Sequence, residues 1–150
     1  MNSRLIVIPA GDPAIYKSED VFAAETKPGA LDAPVHEDIR GTIKRIDLNG
    51  VKVNMLFTKG GFMRSGDLHP HAQYDILFSG RIELWTLEEG ETKKQIIEPN
   101  TFFEIGPHVP HLFNFLEDSV MAEWWGGPFV GWYYRPWRTI IDEQFKKMIA

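Results

Sequence analysis

The sequence predicts an all-β domain: short antiparallel strands closed into a sandwich or barrel, with an extended N-terminal arm before them and a C-terminal helix after them. Three observations carry this. Runs rich in β-branched and aromatic residues recur at short spacing, each bounded by Gly, Pro, Asn or Asp. Two of these runs flank Asn49-Gly50, a pair that supplies the two positive φ angles of a tight hairpin. Helical spacing of apolar residues appears only in the tail.

Residues 1–38 carry breakers at "GDP", "KPGA" and "DAP" around one strand candidate, "RLIVI", and read as the arm. The barrel core, 39–125, opens with the hairpin "GTIKRIDLNGVKVNMLF" and continues through "QYDILF", "RIELWTL", "KKQIIE", "TFFEI", "HLFNF" and "SVMAEWW". Residues 126–150 hold an aromatic segment and then "RTIIDEQFKKMIA", where Ile140, Ile141, Phe145, Met148 and Ile149 fall on one helical face. The chain therefore reads as one domain, 1–150.

Composition narrows the functional classes. At 150 residues, 43% hydrophobic and 25% charged, the chain can bury a core without staples. No apolar run is long enough to cross a membrane as a helix. The opening "MNSRLIVIPAGDP" lacks a basic n-region, so no targeting signal is expected. Sixteen basic against twenty-one acidic residues give a net charge of −5, which argues against nucleic acid as a partner. The absence of cysteine excludes disulfides, thiolate metal sites and cysteine nucleophiles, and fits a cytoplasmic location.

The histidines carry the chemistry. Four of the five, His69, His71, His108 and His111, fall in two clusters separated by four expected strands. Closure of a barrel brings such distant segments together, and convergence is what a metal site requires. In "IGPHVPHLFN" two prolines stiffen the backbone before His111 and reduce the entropy lost on fixing its ring.

These two stretches resemble the motifs of the cupins, small β-barrels of the double-stranded β-helix type. The first family motif runs glycine, five residues, His-x-His, three or four residues, a carboxylate or similar ligand, six residues, glycine. Laid from Gly61 to Gly80, it puts Asp67 at the first histidine position, His69 at the second and Gln73 at the third ligand position. The second motif matches "GPHVPHLFN", with His111 as the ligand and His108 where the family has glycine. The resemblance covers roughly residues 40 to 125 and implies a jelly-roll-like barrel holding one divalent first-row metal: Fe, Mn, Ni, Zn or Cu.

Two ligand sets compete. The spacing register gives Asp67, His69, Gln73 and His111; the literal His-x-His register gives His69, His71, Asp75 and His111. The first is preferred, because the glycine at 80 must turn between strands and a two-residue slip disturbs the ladder. If 67–75 stays extended, the odd-numbered side chains share the barrel interior, and His71 stands in reach of Asp67's place.

Aromatics at strand spacing more often pack than bind, and Trp124, Trp132, Tyr133, Tyr134 and Trp137 with Arg135 and Arg138 read as packing or a subunit contact. His71, Tyr74 and Glu123 are the candidate proton movers. The expectation is a metal-dependent enzyme of isomerase, lyase or dioxygenase type acting on a small oxygenated molecule. Its alternative is a non-catalytic ligand-binding or sensory barrel, with or without metal. The strand in the arm and the apolar stripe of the tail helix predict a homodimer.

Overall fold

The computed structural model describes residues 14–17 and 34–149. Twelve strands are placed there: β1 (Ile15–Lys17), β2 (Pro34–Asp38), β3 (Gly41–Leu48), β4 (Val51–Thr58), β5 (Met63–Leu68), β6 (Gln73–Ser79), β7 (Ile82–Glu88), β8 (Glu91–Ile97), β9 (Thr101–Ile105), β10 (His111–Phe115), β11 (Ser119–Trp125) and β12 (Trp132–Tyr134). They form two six-stranded sheets, ordered β1-β12-β5-β10-β7-β8 and β2-β3-β4-β11-β6-β9. Every pairing between them is antiparallel.

The expected hairpin is present: β3 and β4 pair residue for residue from Leu48↔Val51 outward, around Asn49 (φ 54°) and Gly50 (φ 89°). Four strands depart from the expectation: β1, in the arm but outside the strand candidate there, pairs with β12, and three others differ as follows. Pro34–Asp38, read from sequence as the end of the arm, pairs with β3 and belongs to the second sheet. β5, "MRSGDL", has too few β-branched residues to signal a strand, yet it sits between β12 and β10. β12 lies inside the aromatic segment. The strand candidate "RLIVI" lies outside the described residues.

Inward side chains divide the barrel lengthwise. β10 runs from His111 to Phe113 and Phe115, and β6 from Gln73 and Asp75 to Leu77, all of them buried. β11 runs from Glu123 to Met121, and β4 from Asn54 to Leu56. One end of the interior is therefore a packed apolar floor, in which Phe113, Phe115, Leu77, Ile82 and Met121 are fully buried. The other end is polar, and nothing but hydrogen bonds or a ligand can offset its desolvation.

The helix α1 (Arg135–Ile149) begins three residues earlier than the apolar spacing indicated, with Pro136 in its first turn, where a missing N–H costs nothing. Trp137 and Ile141 bury against Leu112 and Met63 on the first sheet. The tail thus covers its own barrel, which removes the helix from the case for a dimer; Ile140 and Met148, on the expected stripe, remain exposed.

Candidate metal centre

β5 reaches the polar end through a bulge. Ser65 (φ 80°) and Gly66 (φ 70°) both have positive φ, and the pairing to β10 shifts so that Leu112 faces Ser65 while His111 faces Asp67. Residues three apart in a regular strand point to opposite faces. Here the extra residue lets Arg64 and Asp67 both line the same cavity. Gly66 also admits α1, since a Cβ there would meet Ile141 Cδ1 at 3.0 Å.

Asp67, His69 and His111 are all buried, and one ligand atom from each lies within 4.8 Å of the others. Asp67 Oδ1 is 3.1 Å from His111 Nε2, and Asp67 Oδ2 is 3.7 Å from His69 Nε2. Bonds of about 2.0–2.2 Å to one ion separate cis ligand atoms by about 3 Å, so the spacing is slightly open for a first-row metal. Both rings are oriented from behind. His69 Nδ1 contacts the Val130 carbonyl at 3.0 Å, and His111 Nδ1 the Val109 carbonyl at 2.9 Å. A carbonyl only accepts, so each Nδ1 carries the hydrogen and each Nε2 can present a lone pair inward. Asp67 Oδ1, His69 Nε2 and His111 Nε2 are nevertheless without hydrogen-bond partners. At 3.1 Å Asp67 and His111 are within ion-pair distance, yet they make no hydrogen bond with each other.

Electrostatics agree. Burial pushes the His69 imidazole down to about 4, against the pull of Asp67. Burial also works to raise Asp67, but the neighbouring imidazoles outweigh it and hold the carboxyl well below its usual range. For His111 burial favours the neutral ring, yet pairing with Asp67 lifts it above its ordinary value. The trio thus offers one carboxylate and two imidazoles, one held neutral by burial and one whose protonated form the Asp67 charge favours, so that a cation must displace that proton.

Gln73 stands in the same cavity, 1% exposed. Its amide oxygen accepts from Trp125 Nε1 at 3.2 Å, and its nitrogen donates to both Asp75 oxygens at 3.1 and 3.3 Å. Asp75 lies opposite Glu123 in the β6–β11 register. Burial, then the charge of Glu123, raises Asp75 well above its ordinary value. Glu123 lines the cavity and accepts from Asn54 Nδ2 at 3.3 Å, while Asn54 Oδ1 accepts from Arg45 Nε at 2.9 Å.

A raised carboxyl has a definite pH signature. The unfolded chain loses this proton near 3.8 while the folded one keeps it, so Asp75 withdraws stability as pH rises from 3.8 towards its folded value. Asp75→Asn is therefore expected to raise the thermal midpoint, and by more at about pH 8 than at about pH 4. A pH-independent difference between variant and parent counts against it.

Two sequence-derived candidates fall elsewhere. His71 lies not in an extended run but in the connection between β5 and β6, where the chain crosses between sheets. Its ring packs at Gly127, where a Cβ would meet it at 2.6 Å, and it does not line the cavity. Parity fails because the strand ends at Leu68. Tyr74 points outward, stacked on Trp124 and Phe102 with centroids 5.8 and 6.3 Å away. His108, at φ 62°, occupies a turn and donates its backbone N–H to the His69 carbonyl at 2.6 Å. The literal register is thereby set aside: Asp75 is engaged by Gln73 and His71 is remote from the trio. Arg64 is the cavity residue that sequence reasoning missed, and Ser65-Gly66 was the available signal.

No protein-family model matches the chain, and no curated protein sequence does. Solved structures do. The oxalate decarboxylase of Lactobacillus farciminis, in its formate complex, superposes with a TM-score of 0.58 and 16% identity over 68% of this chain and 33% of that one. The capsular polysaccharide assembling protein CapF from Staphylococcus aureus gives 0.56 and 17% over 63% and 30%. A single-site variant of the oxalate decarboxylase of Bacillus subtilis gives 0.56 and 13% over 63% and 28%. The chain thus spans a third or less of the length of these proteins, and at such identities the likeness is one of fold.

Proposed function

From the premise that the chain has the cupin fold, we propose that it is a small metal-binding cupin enzyme acting on a small oxygenated organic molecule inside the barrel. One observation carries this: three buried polar atoms, Asp67 Oδ1, His69 Nε2 and His111 Nε2, converge without hydrogen-bond partners. Those residues hold the ion, and Gln73 stands beside them as a neutral fourth group. Two imidazoles and one carboxylate are the donor set associated with non-haem Fe(II), which we place first among Fe, Mn, Ni, Zn and Cu. Such an ion, when bound, supplies Lewis acidity towards a carbonyl or carboxylate oxygen.

The chain's own residues supply the rest. Glu123, steadied by Asn54, is the proton mover, in place of His71 and Tyr74. Trp125 and Phe113 give the cavity an apolar wall beside the polar cluster. Among isomerase, lyase and dioxygenase chemistry, the donor set leans towards the last. A ligand-binding cupin without turnover is the second reading. It is favoured by Gln73, whose amide brings no charge and already accepts from Trp125. Metal retention by variants of the trio tests the centre; turnover of small oxygenated acids by the Fe(II)-loaded protein, prepared without oxygen, separates enzyme from binder.

We further propose a cytoplasmic homodimer with no nucleic-acid or membrane partner. Support comes from the outer face of the second sheet, where Phe57, Phe78 and Phe102 are 40%, 45% and 59% exposed beside Tyr74 and Trp124. No helix among the described residues is long and apolar enough to cross a membrane. Light scattering is expected to give twice the chain mass, and Phe102→Glu to shift it towards one; a monomeric parent removes the proposal.

A further inference from the structure

Arg64 is buried, 5% exposed, at the polar end of the barrel. Its Nε donates to Thr58 Oγ1 at 2.9 Å, while Nη2 is buried with no hydrogen-bond partner. The other arginines at this cavity are compensated: Arg40 Nη2 by Asp38 at 2.6 Å, and Arg138 Nη2 by Asp142 at 3.4 Å. No ion pair among the described residues includes Arg64. Burial, and then the charge of Arg40, pulls its guanidinium down to about 10. The charges of Asp38 and Glu123 act on it from a distance, but no carboxylate among the described residues reaches ion-pair distance, and a buried cation without a paired anion is costly. The bulge at Ser65-Gly66, which turns Arg64 towards the same space as Asp67, would be an odd expense for a packing role.

We propose that Arg64 anchors a carboxylate, so that the ligand of this cavity is a small monocarboxylic acid gripped through Nη2, its other oxygen function facing Asp67, His69 and His111. The second half rests on the metal reading; the first does not. One charge is specified rather than two, because among the described residues Arg64 is the one cavity arginine outside an ion pair. Size follows from the cavity, about 170 Å³, room for about six waters at ~30 Å³ each. That admits an acid of the size of pyruvate or glycolate.

The test titrates the full chain, chelated and metal-loaded in parallel, with pyruvate and glycolate and with their uncharged amides, by calorimetry. The parent is expected to bind the acids at least tenfold more tightly than the amides. Arg64→Gln should lose that preference, Arg64→Lys should keep part of it, and both should retain metal as the parent does. In the absence of ligand, Arg64→Met should melt at or above the parent, since it removes an uncompensated buried charge; a structural arginine gives the opposite sign. Equal binding of acids and amides, unaltered acid binding in Arg64→Gln, no acid binding by the parent, or marked destabilisation by both Arg64→Met and Arg64→Lys would each overturn the proposal. Acid binding through Arg64 in a protein that retains no metal refutes the metal reading alone.

Discussion

His111→Ala and His69→Ala are expected to lower retention of a divalent first-row metal by more than the ~10–100-fold seen when only an outer-shell partner is lost, while His108→Ala and His71→Ala stay within about twofold. The contrast is geometric. His111 and His69 present Nε2 to the cluster with Nδ1 committed to a backbone carbonyl, so no other atom of either side chain can replace the lost ligand. His108 sits in a turn, its ring over Trp132, and His71 packs at Gly127. Asp67→Asn should fall with the ligand variants, because it removes the only negative charge of the trio, whereas Gln73→Ala should cost less. The same titration carries a pH signature. His111 is raised above its ordinary 6.5, so below its folded value a proton competes with the metal; affinity should weaken as pH falls through that value and level off above it. Elemental analysis after desalting, with competition titrations at several pH values, measures all of this. Equal loss in His108→Ala and His111→Ala, or retention in the latter, would sink the assignment.

Much of this was readable before any coordinates, and the exceptions share a cause. Asn49-Gly50 announces its hairpin because the two positive φ angles are a local demand that few residue pairs meet. Asp67, His69 and Gln73 were placed by spacing between glycines and His111 by the second motif; the structure brings the first two beside His111 and puts Gln73 in the same cavity, as expected where turns fix register at both ends. What failed was parity. The extended reading of 67–75 ignored that the strand ends at Leu68, so it carried His71 inward with its neighbours. The same assumption hid Arg64: three residues before Asp67, it belongs on the opposite face unless a bulge intervenes. Tyr74 was judged by chemistry rather than by its even place in β6, which points it out of the barrel. The carbonyls of Val109 and Val130 that orient the imidazoles have no side-chain signature at all, so no pattern in the sequence reports them.

Gly80→Ala is expected to cost about 2–5 kcal/mol, from left-handed strain of ~1–2 kcal/mol plus overpacking of ~1–3 kcal/mol, and to leave little of a typical domain's ~5–15 kcal/mol. The two glycines that bound the first motif allow the contributions to be separated. Both have positive φ, 94° at Gly61 and 89° at Gly80, so either alanine carries the backbone strain. Their surroundings differ. A Cβ on Gly61 meets nothing within 4 Å, while one on Gly80 runs into Ser119 Oγ and the Asp118 carbonyl. Ser119 cannot easily yield, because its hydroxyl donates to the Glu117 carbonyl at 2.8 Å, and the Asp118 oxygen is backbone at the entry to β11. Relief would require β11 to move away from the β6 end, disturbing the pairing that sets Glu123 opposite Asp75. Gly61→Ala should therefore show only the strain, about 1–2 kcal/mol, and Gly80→Ala clearly more, by chemical denaturation of both variants beside the parent. Equal losses would mean that the turn at Gly80 relaxes freely, and the close approach of β6 to β11 would then not be what holds the register on which the ligand assignment depends.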